Sequence, residues 1–340
     1  MNFTASNSTS SNKDSFAVIG NGSWATALVK IFTDSGIHVN WYFRKKEKAT
    51  YIEKYLHNQD YLTQVKFNPE KITPNSDINE LIQKSKWLVL ATPSLYLEAL
   101  LEQVKTPLSE KIVISGVKGI LPKSNLLPGA YLNTNLALPR AHFVVLSGPS
   151  HAEEIALNRL SFLTIGCSDL NIASFLKQKM KAPYLKLKTS DDVIGIEYSA
   201  TLKNIFALAA GIAKGLNYGD NFQSVLISNS VMEMKRLLKK ISPSKRNIHH
   251  SVYLGDLLVT AYSIHSRNRR FGELIGKGVR QEQVQKQMKM VAEGYFASKT
   301  IYDLKRDLDV KTPIIDAVYA ILYQQESPEK SFKNLVQELT

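Results

Sequence analysis

FAVIGNGSWA, residues 16–25, is the stretch that decides the fold of the first half of the chain. Its four leading apolar residues are typical of a short buried strand, and a helical pattern follows Ala25. Between them, Gly20 suits a tight turn, and Gly22 lets the backbone approach a pyrophosphate with no Cβ in the way. Because free N–H groups at a helix N-terminus attract anions, the sequence predicts a dinucleotide-binding turn. A merely structural glycine turn is the alternative.

The end of the next strand bears on which dinucleotide is bound. A site that prefers NAD usually has Asp or Glu about 20 residues past the glycines. Here the predicted strand at 38–43 ends at Arg44, and Lys45 and Lys46 follow. A guanidinium can accept the 2′-phosphate of NADP. We therefore expect NADPH/NADP to be preferred to NADH/NAD, with a solvated basic loop as the alternative.

Short apolar runs alternate with helical patterns through the first half of the chain. The runs lie at 16–19, 38–43, 87–91, 112–117, 143–146 and 161–167, and the helical patterns at 24–34, 46–57, 94–104 and 151–158. Such alternation indicates an α/β fold with a mostly parallel sheet covered on both faces. We expect a Rossmann-type dinucleotide-binding domain over 15–188, preceded by a disordered polar lead-in at 1–14.

The sequence pattern changes near residue 189. Residues 189–192 offer side chains that can cap a helix and carboxylates that favour its positive end. A long helical pattern rich in Ala, Ile and Leu follows and stops at Gly215, a length on the order of 35–40 Å. Helical patterns and loops make up the remainder. We expect an all-α substrate domain over 189–340.

Composition excludes several classes of protein. The chain has 340 residues, 43 Lys and Arg against 30 Asp and Glu, and a formal net charge of +13. A hydrophobic content of 44% excludes a largely disordered chain. No apolar stretch reaches the ~18–20 residues that span a bilayer, and the single cysteine, Cys167, excludes a disulfide framework and a structural zinc site. The excess of Lys and Arg suits nucleic acid, an anionic membrane surface or a phosphorylated small molecule, and composition does not decide among them.

Polar residues interrupt apolar patterns at several further places. Lys118 follows the predicted strand at 112–117, at the edge where open α/β sheets bind ligands. Lys203 and Asn204 lie inside an apolar helical pattern. The other candidates are the segment 147–154 after another strand, Gly255-Asp256, and the segment 266–272. Taken singly, each has a structural alternative, such as a solvated or snorkelling lysine, a helix cap or a basic turn.

Eight short segments follow one another along the chain: IGNGSWA (19–25), VKGI (117–120), GPSHAE (148–153), LKNIFALAAGI (202–212), GDN (219–221), LGDL (254–257), SRNRRFG (266–272) and VAEG (291–294). In order and spacing they resemble the bacterial NAD(P)-dependent glycerol-3-phosphate dehydrogenases. The resemblance runs from about residue 16 to the end of the chain. SRNRRFG and the segment around Lys203 are far more diagnostic than the glycine turn.

The resemblance implies a role for each matching residue. Lys203 matches the proposed catalytic base. The residues expected to hold the dinucleotide are Gly20, Gly22, Ser23, Trp24, Arg44, Lys118, Ala152, Arg267, Val291 and Glu293. The residues expected to hold the substrate are Lys118, Gly148, Ser150, Lys203, Asn204, Asp256, Ser266, Arg267 and Asn268.

The implied reaction is a reversible hydride transfer between NAD(P)H and dihydroxyacetone phosphate, supplying glycerol 3-phosphate for phospholipid synthesis. It requires a proton at the C2 oxygen, which a lysine can exchange only if its pKa falls by about three units from ~10.4. Burial and the second cation Lys118 favour that fall for Lys203, whereas a nearby Asp256 would oppose it. Arg267 can clamp a phosphate as a bidentate fork.

Two rival functions stay open. A related two-domain 2-ketoacid or β-hydroxyacid reductase also places a lysine on its α-domain helix, and a non-catalytic NADP-binding sensor would need only the first domain. The cationic segment 266–270 favours a phosphorylated triose as the small-molecule partner. The basic stretch 235–250 has no recognisable groove-reading or base-stacking motif, so no nucleic-acid partner is expected.

Some segments depart from the family pattern. Ser251-Val252-Tyr253 stands where small residues and glycine are commoner, and 227–230 lacks the usual Thr-Arg-Gly. Residues 239–250 have the pattern of an irregular basic insertion, and 125–141 is unusual. The resemblance also implies a homodimer and a cytoplasmic location, with no integral membrane span.

Overall fold

An eight-stranded sheet forms the first half of the protein in a computed structural model that describes residues 14–288 and 292–340. The strands are β1 Phe16–Ile19, β2 Val39–Tyr42, β3 Ile72–Asn75, β4 Trp87–Leu90, β5 Ile112–Ser115, β6 Phe143–Ser147, β7 Ser161–Cys167 and β8 Leu185–Ser190. Their order in space is β3-β2-β1-β4-β5-β6-β7-β8. Apart from Asp14, the lead-in expected at 1–14 lies outside the described residues, as does Val291.

The direction of the strands positions the site. The first six strands are parallel, β7 pairs antiparallel with β6, and β8 runs parallel to β7. Strand β1 lies between β2 and β4, and Ile19 at its end pairs with Tyr42 and Leu90. The chain therefore reverses its order across the sheet at β1, where open α/β sheets form a ligand-binding crevice outside the carboxyl ends of the strands.

Seven helices accompany the sheet among the described residues. They are α1 Ser23–Asp34, α2 Lys46–Tyr55, α3 Ile78–Lys84, α4 Ser94–Leu101, α5 Pro128–Leu136, α6 Ala152–Ala156 and α7 Leu170–Lys179. Alternate residues of β1 enter two different apolar clusters, Ala17 and Ile19 in one and Phe16 and Val18 in the other. The sheet is thus covered on both faces, and the prediction of a mostly parallel Rossmann-type sheet is confirmed.

The second half of the described chain is helical, as predicted. Its helices are α8 Val193–Gly215, α9 Asp220–Ile241, α10 Asp256–Tyr262, α11 Arg267–Gly276, α12 Gln281–Gln287, α13 Glu293–Asp307, α14 Pro313–Tyr323 and α15 Pro328–Val336. Helix α8 ends at the predicted Gly215 and is about 35 Å long. Its buried residues Leu202 and Ile205 share one cluster with Val113 and Val145 of the sheet, so one apolar core joins the two halves.

Strands β3 and β8 and helices α3, α5 and α7 were not among the elements expected from the sequence. Strand β3 contains Pro74, which hides its pattern, whereas β8 alternates Leu185 and Leu187 with exposed lysines. Strand β8 runs to Ser190, and Asp192 then caps α8. The domain division at 188/189 stays a prediction, because β8 crosses that position while the helical half begins just after it.

The described residues contain neither a candidate membrane span nor a candidate metal site. Within 14–288 and 292–340, no helix combines the length and apolar character needed to cross a membrane. The same residues contain no group of three or more His, Cys, Asp or Glu side chains arranged to hold a metal ion.

Candidate active site

The turn between β1 and α1 requires its first glycine. Gly20 has a φ of +132°, and a Cβ at this position would lie 2.8 Å from the carbonyl of Ala91 at the end of β4. The indole N–H of Trp41 donates to the Gly20 carbonyl oxygen at 2.7 Å. Because a side chain at position 20 would collide with β4, the turn is fixed from both neighbouring strands.

A buried asparagine after α2 braces the same turn. Asn58 Nδ2 donates to the carbonyl oxygen of Asn21 at 2.9 Å and to Thr26 Oγ1 at 2.8 Å. Its Oδ1 accepts the backbone N–H of Asp60 at 3.0 Å. Sequence reasoning missed Asn58, because a lone asparagine 37 residues from its partner leaves no local signal.

The N-terminus of α1 fits a pyrophosphate. Within the described part of the chain, a Cβ on Gly22 would meet nothing within 4 Å, and no side chain caps the helix. Ser23 and Trp24 are its first two residues, and Trp24 Nε1 is buried without a hydrogen-bond partner among the described residues. Uncapped N–H groups at a positive helix end, beside a glycine that leaves space, are the features that a dinucleotide phosphate needs.

Arg44 stands apart from the other candidates. It is exposed between β2 and α2 and has no ion pair with the described part of the chain, whereas its neighbour Lys45 lies 3.7 Å from Glu47. An unpaired guanidinium at the end of β2 fits a phosphate monoester on the ribose.

Lys118 joins candidates at the carboxyl ends of β5 and β6. Its Nζ donates to the carbonyl oxygen of Gly148 at 3.2 Å, and it lies 3.4 Å from Asp256 Oδ2. The same ammonium lies 5.5 Å from the centre of the Trp24 ring, within the range of a cation–π contact. Ser150 Oγ donates to the Gly148 carbonyl oxygen at 2.9 Å. Lys118 therefore connects the dinucleotide turn with the helical half of the protein.

Lys203 projects from the middle of α8 into a buried ion pair. Its side chain is 5% exposed, and that of Asp256 is 1% exposed. Lys203 Nζ donates to Asp256 Oδ1, while Asp256 Oδ2 accepts from Lys118 and, at 3.3 Å, from Ser147 Oγ. Asp256 opens α10, directly after a π-helical segment, Ser251–Gly255. One carboxylate thus holds two ammonium groups in place.

Burial and the neighbouring charges together shift the pKa of both partners of the ion pair. Burial lowers the pKa of Lys203, Asp256 opposes that effect, and the charge of Lys118 lowers the pKa further. Burial raises the pKa of Asp256, but the two lysines outweigh it and hold the pKa below its usual value. Nearby, burial and the charges of Lys203 and Lys118 lower the pKa of His151. A lysine with a lowered pKa can exchange a proton near neutral pH.

A series of amide hydrogen bonds connects α8, α11 and α13 with the Lys118 loop. Asn204 Nδ2 donates to the carbonyl oxygen of Lys118 at 2.6 Å. Asn268 Nδ2 donates to Asn204 Oδ1 at 3.0 Å, and Asn268 Oδ1 accepts the N–H of Gly294 at 2.9 Å. Both asparagines are buried. The second amide hydrogen of Asn268 has no acceptor among the residues that the structure describes.

The first turns of α11 and α13 carry Arg267 and Glu293. Arg267 follows the helix cap Ser266, whose Oγ accepts the N–H of Arg269 at 3.3 Å. Glu293 accepts the N–H of Ser94 at 3.0 Å and also its hydroxyl. Burial raises the pKa of Glu293, while the Ser94 hydrogen bonds and the charge of Arg267 oppose that rise. Arg267 has no ion pair within 14–288 and 292–340, so its planar fork is available to an added anion.

Helices α8 and α11 pack backbone against backbone through glycines. A Cβ on Gly272 would lie 2.9 Å from the carbonyl carbon of Leu208, and one on Gly211 would lie 2.8 Å from the backbone nitrogen of Glu273. This close approach sets the first turn of α11 beside the part of α8 that carries Asn204.

Most of the candidates predicted from the sequence lie together at one edge of the sheet. Those with a hydrogen bond, ion pair or ring contact to another candidate are Trp24, Lys118, Gly148, Ser150, Lys203, Asn204, Asp256 and Asn268. Gly20, Gly22 and Ser23 form the adjoining turn, and Ala152 is buried at the start of α6, which packs on α1. Arg44 contacts none of the other candidates that the structure describes, and Val291 lies outside the described residues.

Sequence reasoning did not nominate three further residues of the site. Ser147 and His151 lie in the segment 147–154 that the sequence marked, so their polar side chains after a strand were a usable signal. Ser94, at the start of α4, contacts Glu293 199 residues away in the chain, and no local pattern points to it.

Two family models match the chain. The N-terminal model of the NAD-dependent glycerol-3-phosphate dehydrogenases matches residues 15–173, and the C-terminal model matches residues 192–333. A curated glycerol-3-phosphate dehydrogenase (NAD(P)+) of Exiguobacterium sp. is 34% identical over 322 residues, which cover 94% of each chain.

Solved structures agree with these matches. A glycerol-3-phosphate dehydrogenase from Coxiella burnetii is 26% identical, with a TM-score of 0.87 over 96% of this chain and 99% of that chain. A D-mandelate dehydrogenase solved with NADH is 13% identical, with a TM-score of 0.58 over 92% and 98% of the two chains. At that identity the second likeness shows a shared fold alone.

Proposed function

The chain belongs to the family of NAD-dependent glycerol-3-phosphate dehydrogenases, and we propose that it interconverts dihydroxyacetone phosphate and sn-glycerol 3-phosphate. It is an NAD(P)-dependent oxidoreductase that acts on a CH–OH group. The observation that carries the proposal is the buried contact of Lys203 with Asp256, beside Lys118 and the dinucleotide turn. Such a reaction needs a proton-exchanging group next to the dinucleotide.

Lys203 moves the proton. When bound, the nicotinamide supplies or accepts the hydride at C2 of the triose. For ketone reduction, the Lys203 ammonium donates a proton to the C2 oxygen as the alcohol forms; for alcohol oxidation, the neutral amine accepts it. Burial favours the neutral amine of Lys203, and the contact with Asp256 favours its ammonium form, so the side chain can change between the two protonation states.

Arg267 and its neighbours bind the phosphate. The guanidinium provides a bidentate fork, the Ser266 hydroxyl can donate, and one amide hydrogen of Asn268 is unused. We assign Gly148 and Ser150, which share a carbonyl hydrogen bond, to the same substrate. The Arg267→Ala variant should mainly raise KM for the triose phosphate, whereas Lys203→Ala should lower kcat by several orders of magnitude and leave dinucleotide binding intact.

The turn that begins α1 would hold the dinucleotide. Gly20, Gly22, Ser23 and Trp24 would receive its pyrophosphate, and the family resemblance assigns Ala152, Val291 and Glu293 to the same cofactor. Arg44 would bind the 2′-phosphate, which favours NADPH over NADH. Arg44→Ala should lower kcat/KM with NADPH and leave the value with NADH unchanged. Lys45→Ala is the matched control, because Lys45 is the adjacent exposed cation. If the ratio of kcat/KM with NADPH to kcat/KM with NADH were the same in wild type and Arg44→Ala, this assignment would be contradicted.

One assay tests the function directly. The oxidation of NADPH is followed with dihydroxyacetone phosphate as the substrate and repeated with NADH. Ketopantoate in place of the triose phosphate tests the 2-ketoacid reductase alternative, which the relatives do not favour. Turnover with ketopantoate alone, or no turnover with either ketone, would overturn the proposal.

Four finer statements complete the proposed function. We propose a Rossmann domain up to about residue 188 and a substrate domain from 189, a homodimer, a cytoplasmic location, and a role in supplying glycerol 3-phosphate for phospholipids. The basis is the family resemblance, together with the buried single thiol of Cys167, which suits a reducing compartment. Light scattering of the purified protein tests the dimer, and limited proteolysis tests the division.

A further inference from the structure

A second buried charge cluster lies at the N-terminus of the helix that carries Lys203. Asp192 caps α8, with Oδ1 accepting the N–H of Gly195 at 3.2 Å. Arg246 holds the same carboxylate in a bidentate fork, through Nε at 2.5 Å and Nη2 at 2.6 Å. The hydroxyl of Tyr253 is the third donor. One carboxylate thus receives a helix end, a guanidinium and a phenol.

The three donors come from three parts of the chain. Arg246 belongs to the basic stretch after α9, and its Nη1 also donates to the carbonyl oxygens of Ser242 at 3.2 Å and Leu238 at 3.4 Å. Its side chain is 6% exposed, so this arginine is not part of the solvated charge of the stretch. Tyr253 is 4% exposed and lies in the π-helical segment Ser251–Gly255. Arg246 and Asp192 therefore anchor that segment to the start of α8.

The charge states of the cluster favour these contacts. Burial raises the pKa of Asp192, but the hydrogen bonds from Arg246 and Tyr253 outweigh it and hold the pKa below its usual value. Burial and the Asp192 carboxylate raise the pKa of Tyr253, so the phenol remains a donor. A protonated phenol facing a carboxylate is a charge-assisted hydrogen bond, which is stronger than a neutral one.

The position of Tyr253 in the chain connects the buried charge cluster around Asp192 with the candidate active site. Tyr253 precedes Asp256 by three residues, within one helical turn. Asp256 in turn contacts Lys203, which lies on the helix that Asp192 caps. Among the described residues, two polar contacts join the Asp256 segment to α8, from the Tyr253 hydroxyl to Asp192 and from Lys203 to Asp256, beside the apolar packing of α10 on α8. If the first contact is removed, the segment that carries Asp256 loses its polar anchor at the start of α8, and the contact of Asp256 with Lys203 loosens.

We propose that Tyr253, held by Asp192 and Arg246, is a positioning residue that sets the contact of Asp256 with Lys203. The inference rests on the proposed role of Lys203 in proton transfer. It gives a function to a tyrosine at a position where the family more commonly has a small residue, and to one arginine of the basic stretch.

A tyrosine in the other half of the protein provides a matched control. Tyr184 is 8% exposed, and its hydroxyl donates at 2.7 Å to Asp34, which is paired with Lys30. Tyr253→Phe and Tyr184→Phe therefore each remove one phenol-to-carboxylate hydrogen bond and keep the ring. Tyr184 and Asp34 contact none of the candidate site residues. A loss of stability alone should affect both variants alike.

We expect Tyr253→Phe to lower kcat for dihydroxyacetone phosphate reduction about tenfold, because small displacements of reacting groups are costly. Tyr184→Phe should keep the wild-type kcat.

Reduction needs the ammonium, so activity falls as pH rises through the pKa of Lys203. The charged and titratable groups facing Lys203 are Asp256 on α10, Lys118 after β5 and His151 before α6. A looser Asp256 contact lowers that pKa, so the fall in Tyr253→Phe should begin at lower pH.

The outcomes separate this inference from the proposed function. Equal kcat and equal pH profiles in Tyr253→Phe and Tyr184→Phe would overturn the positioning role and leave the function standing. Near-normal turnover of Lys203→Ala would overturn the assigned proton donor, whatever Tyr253→Phe does. If Tyr253→Phe does not fold, Arg246→Lys provides the second test, since a lysine keeps the charge but not the bidentate fork. A wild-type pH profile and kcat in that variant would count against the inference.

Discussion

Asp256 offers the sharpest test of how the site controls its proton. Its carboxylate contacts both Lys203 and Lys118, and Asp256→Asn keeps the shape of the side chain while removing the charge. Burial already lowers the pKa of Lys203, and Asp256 is the group that opposes this effect. Without it, the pKa of Lys203 should fall further, and the ammonium needed for ketone reduction should become scarce at neutral pH.

The distances set the size of the effect. At the 3.4 Å between Lys118 Nζ and Asp256 Oδ2, two unit charges attract by about 5 kcal/mol at an effective dielectric constant of ~20. Lys203 is at least as close to the same carboxylate. Asp256→Asn removes this attraction for the Lys203 ammonium. Water admitted beside the new amide offsets part of the lost attraction, so we expect a net loss of about 3 kcal/mol, which is a fall in reduction rate of about a hundredfold at neutral pH.

Initial rates of NADPH oxidation with saturating dihydroxyacetone phosphate, measured across a pH series, give the pH at which kcat falls. In Asp256→Asn this fall should move to lower pH, and the variant should regain part of its rate in acid. Asp34→Asn is the control, because Asp34 pairs with Lys30 away from the site and should keep the wild-type profile. A uniform loss of rate with an unmoved pH profile would refute the electrostatic role of Asp256 and leave it a purely geometric one.

Three further changes test the packing and the buried carboxylates. Gly272→Ala should destabilise the protein by about 3 kcal/mol through overpacking against α8, whereas Gly219→Ala, with nothing within 4 Å of the new Cβ, should cost under ~1 kcal/mol in urea unfolding. Burial raises the pKa of Glu233 from 4.5 to about 8, so the folded chain holds a proton that the unfolded chain releases, and stability falls as pH rises through that window. Glu233→Gln should flatten the measured slope of unfolding free energy against pH by up to ~1.4 kcal/mol per unit; an unchanged slope would mean that the carboxyl is ionised throughout. Ser94→Ala removes the hydroxyl that contacts Glu293 and should weaken NADPH binding severalfold in a fluorescence titration, and an unchanged Kd would show that the backbone N–H of position 94 suffices.

Local signals predicted much of this fold and site. The run at 16–25 predicted the strand, turn and helix, because glycine spacing and apolar runs act over a few residues. Lys203 and Asn204 were predicted because polar residues inside an apolar helix need partners, and the structure provides Asp256 and the Lys118 loop.

Contacts between distant segments were beyond the reach of the sequence pattern. The sequence raised the question of whether Asp256 lies near Lys203, yet nothing in the chain between these two residues, 53 positions apart, fixes a distance. Likewise, the sequence shows Arg246 only as one more cation of a basic stretch, because its burial depends on Asp192, 54 residues earlier. Strand β8 differs from these contacts, because its alternation of leucine and lysine is a local pattern that predicts a strand.

The two outermost strands have a consequence for how copies of the protein behave in solution. An open sheet ends in unpaired backbone groups that can recruit a strand from another molecule. At one edge, β3 places Pro74, which has no N–H to offer; at the other, β8 exposes Lys186 and Lys188, which repel a second copy of the same edge. Part of the +13 charge therefore lies on an open edge of the sheet, where two like-charged edges repel each other, and neutral residues at 186 and 188 should favour edge-to-edge association.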